Sequence, residues 1–172
     1  MAQTEDRVEV EGLFEAHYAD VLAYCARRVG RNEAEDVAGE VFAVAWRRRS
    51  EIESATARPW LYGVARGVIS NRWRSGRRQH RLVDRLTGTV PLPVDGPDTV
   101  VVRREQDRAV MDTLRKLKQT DSEILMLAGW EGLSAPEIAV ALGISVSAAE
   151  QRLHRAKRRF AQALAAQGGE IE

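Results

Sequence analysis

An all-α chain built as two small helical domains joined by a flexible linker is what three features of this sequence predict. Apolar residues recur at three- and four-residue intervals in block after block, which is the spacing of one helix face. No stretch alternates with the period of two that a half-buried strand requires. Between the blocks, 87–97 (TGTVPLPVDGP) holds two Gly and three Pro in eleven residues, a composition that breaks regular structure. At roughly 150 residues per domain, 172 residues allow one domain or two small ones and rule out a large multidomain enzyme. The boundaries read from these patterns are a first domain over 8–86, a linker over 87–106, a second domain over 107–166 and a tail over 167–172.

The first helix is predicted over 13–29, where Phe14, Tyr18, Val21, Leu22, Cys25 and Val29 share a face and Gly30 terminates the run. Asn32 with Glu35 supplies the start signal for a second helix reaching about residue 49. Gly39 falls in its middle at a cost of about 1 kcal/mol against Ala, which points to a close-packing reason for it. Pro59 suits the first turn of a third helix that runs past Trp73 to about residue 81. Beyond the linker, Asp98 can cap a block that places Val110, Met111, Leu114 and Leu117 on one face. Two capping boxes follow, Thr120 with Glu123 and Ser134 with Glu137, and predict helices over 121–129 and 135–142. Gly143 ends the second of these, and Ser145 caps a last helix reaching about residue 164.

Charge is distributed unevenly along a chain whose net charge is only +1. Residues 1–57 carry 7 Arg against 12 acids, whereas 58–86 carry 8 Arg against Asp84 alone. A second basic run gathers Arg152, Arg155, Lys157, Arg158 and Arg159. Two such patches without an accompanying Trp, Phe and Leu face indicate nucleic-acid rather than membrane contact. The single cysteine, Cys25, forms no internal disulfide, so a reducing compartment, the cytoplasm, is expected. Residues 1–12 are acidic and lack the apolar core of a secretory signal. The longest apolar stretch, 124–130, is too short to cross a bilayer, and no membrane insertion is expected.

Residues 134–160 combine a short helix, the turn Gly143-Ile144-Ser145 and a longer basic helix, which is a helix-turn-helix pattern. At 100° per residue the last helix puts Val146, Ala149, Leu153, Ala156 and Phe160 on a packing face. Ser147, Ala148, Gln151, Arg155, Arg158 and Arg159 fall opposite, where Gln and Arg can reach base edges in a major groove. Glu150 can accept from cytosine or pair with His154 or Lys157.

In the third helix Arg66, Ser70, Arg74, Arg77 and Arg81 share an arc opposite Leu61, Val64, Ala65, Val68 and Ile69. Trp60, Asn71 and Arg78 border one edge, and Tyr62 and Trp73 the other. Arginines of this kind track phosphates, and bordering aromatics either stack on exposed bases or belong to the core. The second helix has the opposite sign. Glu33, Asp36 and Glu40 form a narrow acidic face, and Val37, Val41, Phe42, Val44 and Trp46 cover an arc wider than one packing contact needs, which leaves room for a protein partner or for burial on several sides. His17, His80 and His154 lie far apart without ligand-spaced partners, and the chain has no phosphate loop or nucleophile motif. No catalytic residue, cofactor, metal or small-molecule substrate is therefore expected.

Taken in order, 34–42 (AEDVAGEVF) with Trp46, 58–66 (RPWLYGVAR) through Asn71, and Glu137-Ile138-Ala139 through Gly143-Ile144 to 152–156 (RLHRA) resemble the extracytoplasmic-function (ECF) sigma factors of bacterial RNA polymerase. The resemblance covers 13–164 and implies a sigma region 2-like bundle followed by a region 4-like helix-turn-helix. It implies that Asp36, Glu40, Phe42 and Trp46 bind the core polymerase. It implies that the loop 49–58 and the next helix open and hold the single-stranded minus-10 element, with Trp60, Arg66, Asn71, Arg74, Arg77 and Arg78 as contacts. Ser147, Gln151, Arg152, Arg155, Arg158 and Arg159 would meet the duplex minus-35 element. The same resemblance implies an anti-sigma protein as a further partner and a bacterial cytoplasmic location. Gly39 stands where the family commonly has glutamine, and the loop lacks an aromatic residue found in some relatives.

Two elements about 17 base steps apart lie roughly 58 Å from each other along duplex DNA. A connector of about 20 residues, 87–106, reaches roughly 66 Å when extended, so one monomer can touch both. The competing readings are a stand-alone helix-turn-helix regulator whose first block is a helical sensor, and an adaptor that sequesters a regulator. A sensor block needs no arginine stripe, and an adaptor should ignore core polymerase in a pull-down.

Overall fold

The computed structural model describes the backbone of residues 2–80 and 104–168, with side chains over 11–76 and 107–166. The chain divides into two compact units, Met1–Gly96 and Pro97–Glu172. Among the described residues there are seven α-helices and no strand. The linker 87–106 up to residue 103, Asp98, Arg81 and the tail beyond 168 lie outside the described residues, as do the side chains of Arg77 and Arg78.

In the first unit α1 (Ala2–Val29), α2 (Arg31–Arg47) and α3 (Ala57–His80) pack pairwise around one core. α1 starts well before the predicted residue 13, because its first turns are built from helix-compatible charged residues that show no apolar stripe. Its core face supplies Val21, Tyr24 and Cys25, each 0% exposed. α2 buries Ala34, Val37, Ala38, Val41, Phe42 and Ala45, a three- and four-residue stripe in which the alanines let neighbouring backbones approach. From α3 come Leu61, Tyr62, Ala65 and Ile69. Each large apolar side chain so buried contributes about 1.5–3 kcal/mol.

The α1–α2 joint is one residue, Gly30, at φ 83°, a left-handed conformation that favours glycine. It is also the α2 N-cap. The Asn32 cap is thereby corrected: the helix is already under way at Arg31, and no side chain caps it. The buried polar centre of this unit is Arg28, whose guanidinium lies 3.5 Å from the Tyr24 ring centroid. Tyr24 in turn stacks on Tyr62 of α3 at 4.9 Å, so a cation and two rings join α1 to α3.

Gly39 has no close-packing role. It lies exposed on α2, and a Cβ there would meet nothing within 4 Å. Gly39→Ala is accordingly expected to stabilise the first unit by about 0.4–1 kcal/mol through lost unfolded-state freedom. Thermal melts of the two proteins check this, and a lowered midpoint would mean the helix needs glycine there.

The second unit contains α4 (Arg104–Lys116), α5 (Gln119–Gly129), α6 (Ala135–Leu142) and α7 (Val146–Gly168). α7 packs against each of the other three. Leu114, Ile124, Leu127, Leu133 and Ile138 fill the core. The buried Ser122 hydroxyl donates to the Leu114 carbonyl at 2.6 Å and ties α5 to α4. The Thr120–Glu123 capping box is corrected here. α5 begins at Gln119 with Lys118 as N-cap and no side-chain cap, and the N–H groups of Asp121 and Ser122 bond the Lys118 carbonyl at 2.9 and 3.0 Å. Thr120 is therefore already inside the first turn.

Candidate nucleic-acid interface

The α6–α7 corner is set by local sequence. Ser134 and Glu137 form the capping box, the Glu137 carboxylate accepting from the Ser134 N–H and hydroxyl at 2.8 Å each. Gly143 takes φ 63°, and the Ile144 N–H returns to the Ala139 carbonyl at 3.0 Å, which ends α6 in a left-handed turn. Ser145 Oγ then accepts the Ala148 N–H at 3.1 Å and starts α7.

On α7, Ala149 and Ala156 are 0% exposed, with Leu153 and Phe160 half-buried beside them. Ser147, Gln151, Arg152, Arg155 and Arg158 are all exposed. Val146, expected on the packing face, is 42% exposed, because as the first helical residue it has no preceding turn beneath it. Ala148, expected outward, is half-buried. Arg159 differs from the other arginines. Its Nη1 donates to Asp121 Oδ2 at 2.7 Å, and the Asp121 side chain is only 11% exposed.

Along α3, Arg66, Asn71 and Arg74 are exposed. Arg74 folds back, Nη2 donating to Asn71 Oδ1 at 2.9 Å and Nε to the Ser70 carbonyl at 3.3 Å. Trp60 and Trp73 are both half-buried, so neither belongs to the fully buried core. The Arg48 guanidinium lies over the Trp60 ring at 5.4 Å. That same Arg48 donates through Nε to both Glu51 carboxylate oxygens at 3.0 and 3.1 Å. The hydrogen bond holds the Glu51 carboxyl below its ordinary range and raises Arg48. Two 3-10 turns, Arg49–Glu51 and Ser54–Thr56, shape the loop before α3.

On α2, Asp36 and Glu40 are exposed and Trp46 is 45% exposed, carrying the Arg49 guanidinium 5.5 Å from its ring. Phe42 is not on this surface. It is 8% exposed and packs edge-on against Phe14 at 4.9 Å, because α1 crosses that side of α2. Phe14 itself, 43% exposed, joins Trp46 as an outward aromatic, although the periodicity assigned it to the packing face.

Arg72 of α3 was also beyond sequence reasoning. Its guanidinium pairs with Glu40, Nε to Oε1 being 3.1 Å. That hydrogen bond raises the Arg72 pKa; partial burial opposes the rise, and the charges of Glu40, Asp36 and Glu33 add to it. With Glu40 and Arg72 32 positions apart, no helical spacing announces the pair.

Among the described residues no group of three His, Cys, Asp or Glu is arranged to hold a metal ion. No helix among them is long and apolar enough to cross a membrane.

Residues 13–79 match the family Sigma-70 region 2, and 107–160 match Sigma-70, region 4. RNA polymerase sigma factor NccH of Alcaligenes xylosoxydans xylosoxydans is 30% identical over 149 residues, covering 81% of this chain and 78% of that protein. ECF RNA polymerase sigma factor SigL of Mycobacterium tuberculosis is 32% identical over 154 residues, covering 87% and 85%. Among solved structures, the Bartonella quintana sigma factor RpoE, in complex with the anti-sigma factor NepR, aligns with a TM-score of 0.68 at 19% identity over 91% of this chain and 96% of that one. CnrH in complex with the cytosolic domain of CnrY aligns at 0.58 and 23% identity, over 93% and 90%.

Proposed function

Because the chain belongs to the ECF sigma factors of bacterial RNA polymerase, we propose specific roles for the surfaces of its two units. The chain is a promoter-recognition subunit, and the reading of a stand-alone regulator with a sensor block gives way to it. Core RNA polymerase and promoter DNA are its partners. Region 2 spans the arginine face of α3 and region 4 spans the helix-turn-helix, so the block that a regulator would use as its sensor matches region 2 instead.

Asp36, Glu40 and Trp46 dock on the polymerase, with Phe14 extending the aromatic part of that surface over the buried Phe42. Arg66, Asn71 and Arg74 hold the single-stranded minus-10 element, and Trp60, braced by Arg48, offers a ring beside it. Arginine supplies phosphate charge, and exposed rings stack on unpaired bases whatever their sequence. Ser147, Gln151, Arg152, Arg155 and Arg158 enter the major groove of the minus-35 element. The observation that carries this reading is the two-sidedness of α7: two alanines at 0% exposure set one face against the unit, and the side chains suited to base edges and phosphates all lie outside it. The chain contributes binding and strand separation, and polymerase supplies the chemistry. An anti-sigma protein that covers the same faces fits this reading, since a sigma factor of like fold was co-crystallised with the anti-sigma factor NepR. A cytoplasmic site of action fits the single buried thiol of Cys25.

Run-off transcription with core polymerase tests the assignment. The expected result is initiation dependent on both the chain and an upstream element; duplex binding without any initiation would refute it. Arg155→Ala is expected to weaken upstream-element recognition by about 1–3 kcal/mol, the value of a bidentate arginine–guanine contact, while polymerase capture stays unchanged. Equal losses in mobility-shift and capture assays would remove Arg155 from the base-reading set.

A further inference from the structure

We propose that Arg159 is a positioning residue for the recognition helix, its ion pair with Asp121 fixing the roll of α7 as it presents Gln151, Arg152 and Arg155 to the duplex. The inference rests on the assignment of α7 to minus-35 reading.

Asp121 lies in the first turn of α5, and its side chain is 11% exposed. A carboxylate so enclosed needs a charged partner, and Arg159 supplies it from 38 residues away at 2.7 Å. The rest of the α7 packing face is apolar. Ala149 and Ala156 allow close approach with Leu153 and Phe160 half-buried beside them, and the Arg159–Asp121 pair adds a directional polar contact to that face. Arg152 and Arg159 are seven residues apart, so at 100° per residue they differ by about 20° around the axis and about 10 Å along it. An α-helix measures about 10–12 Å across its side chains, so a 20° roll sweeps their tips by about 2 Å. That displacement exceeds what a hydrogen bond to a base edge tolerates. The clasp thus holds α7 within about 20° of the azimuth from which Arg152 projects, two turns beyond the groove-facing residues.

The test uses holoenzyme assembled from core polymerase and the full chain. Its probes are a duplex selected from a random pool by the wild-type holoenzyme, and the same duplex with its upstream element scrambled. Asp121→Asn decides between positioning and contact, because it removes no positive charge from α7. A positioning clasp predicts that preference for the selected duplex falls about tenfold, the order of one base contact, with binding to the scrambled duplex and the salt dependence unchanged. If Arg159 instead touches a phosphate, Asp121→Asn leaves preference intact or tightens binding. In that case Arg159→Ala lowers both duplexes alike and cuts the salt slope by about one, which would overturn the proposal. A purely structural pair would lower the melting midpoint of Asp121→Asn yet keep its preference well below that midpoint, and this too would overturn it. If Asp121→Asn fails to fold, Arg159→Ala serves instead: the expected loss is concentrated on the selected duplex, and equal loss on both refutes the clasp. Absence of any preference in the wild type would sink the minus-35 assignment itself, a result distinct from normal wild-type preference that the variants share.

Discussion

Replacing Asp36 and Glu40 by Lys together is expected to abolish capture by core polymerase, lowering affinity at least a hundredfold, about 3 kcal/mol. The two carboxylates are one helical turn apart on the exposed side of α2, so a cationic partner surface meets both at once. Reversal turns two attractions into two repulsions, and like charges across an interface cost several kcal/mol. The structure adds a control. Glu40 is paired with Arg72, and an exposed pair of this kind contributes only about 0–1 kcal/mol to stability. The melting midpoint of the double variant should therefore shift by a few degrees at most while capture disappears. DNA binding through α7 should persist. Pull-down with tagged core polymerase decides the matter: undiminished capture would assign the acidic face to solvent.

Leu127→Ala is expected to cost the second unit about 2–5 kcal/mol, as truncation of a buried leucine does elsewhere. Leu127 is 1% exposed at the centre of a small helical unit whose other core members are few, and small domains have little stability to spare. At about 4–8 °C per kcal/mol the midpoint of that unit should fall by about 8–40 °C. Upstream-element recognition should be lost at 37 °C, with polymerase capture through the first unit retained. A midpoint within 2 °C of wild type, read by circular dichroism, would show that the site collapses around the missing atoms.

What was legible in the sequence was what a few neighbouring residues decide. The Ser134–Glu137 box, the left-handed Gly143 and the Ser145 cap each depend on a backbone group within five residues, and the structure shows all three. Helix faces were legible too, because Ala149 and Ala156 repeat at a fixed spacing. What covers a face was not. Phe42 and Phe14 both read as helical aromatics, and only the crossing of α1 over α2 decides that the first is enclosed and the second projects. The Glu40–Arg72 and Asp121–Arg159 pairs join residues 32 and 38 positions apart, beyond any periodic signal. The Thr120 box failed for a smaller reason: its pattern was present, but the preceding lysine had already begun the helix.

Cys25 stands at 0% exposure between the helices of the first unit, and it is the chain's single thiol. Alkylating reagents can reach it only when that bundle opens, so the ratio of its labelling rate to that of the denatured chain measures the opening equilibrium directly. Nature has left a stopwatch in the protein. Started in the presence and absence of a binding partner, it would read how strongly that partner clamps the bundle shut, without any engineered probe.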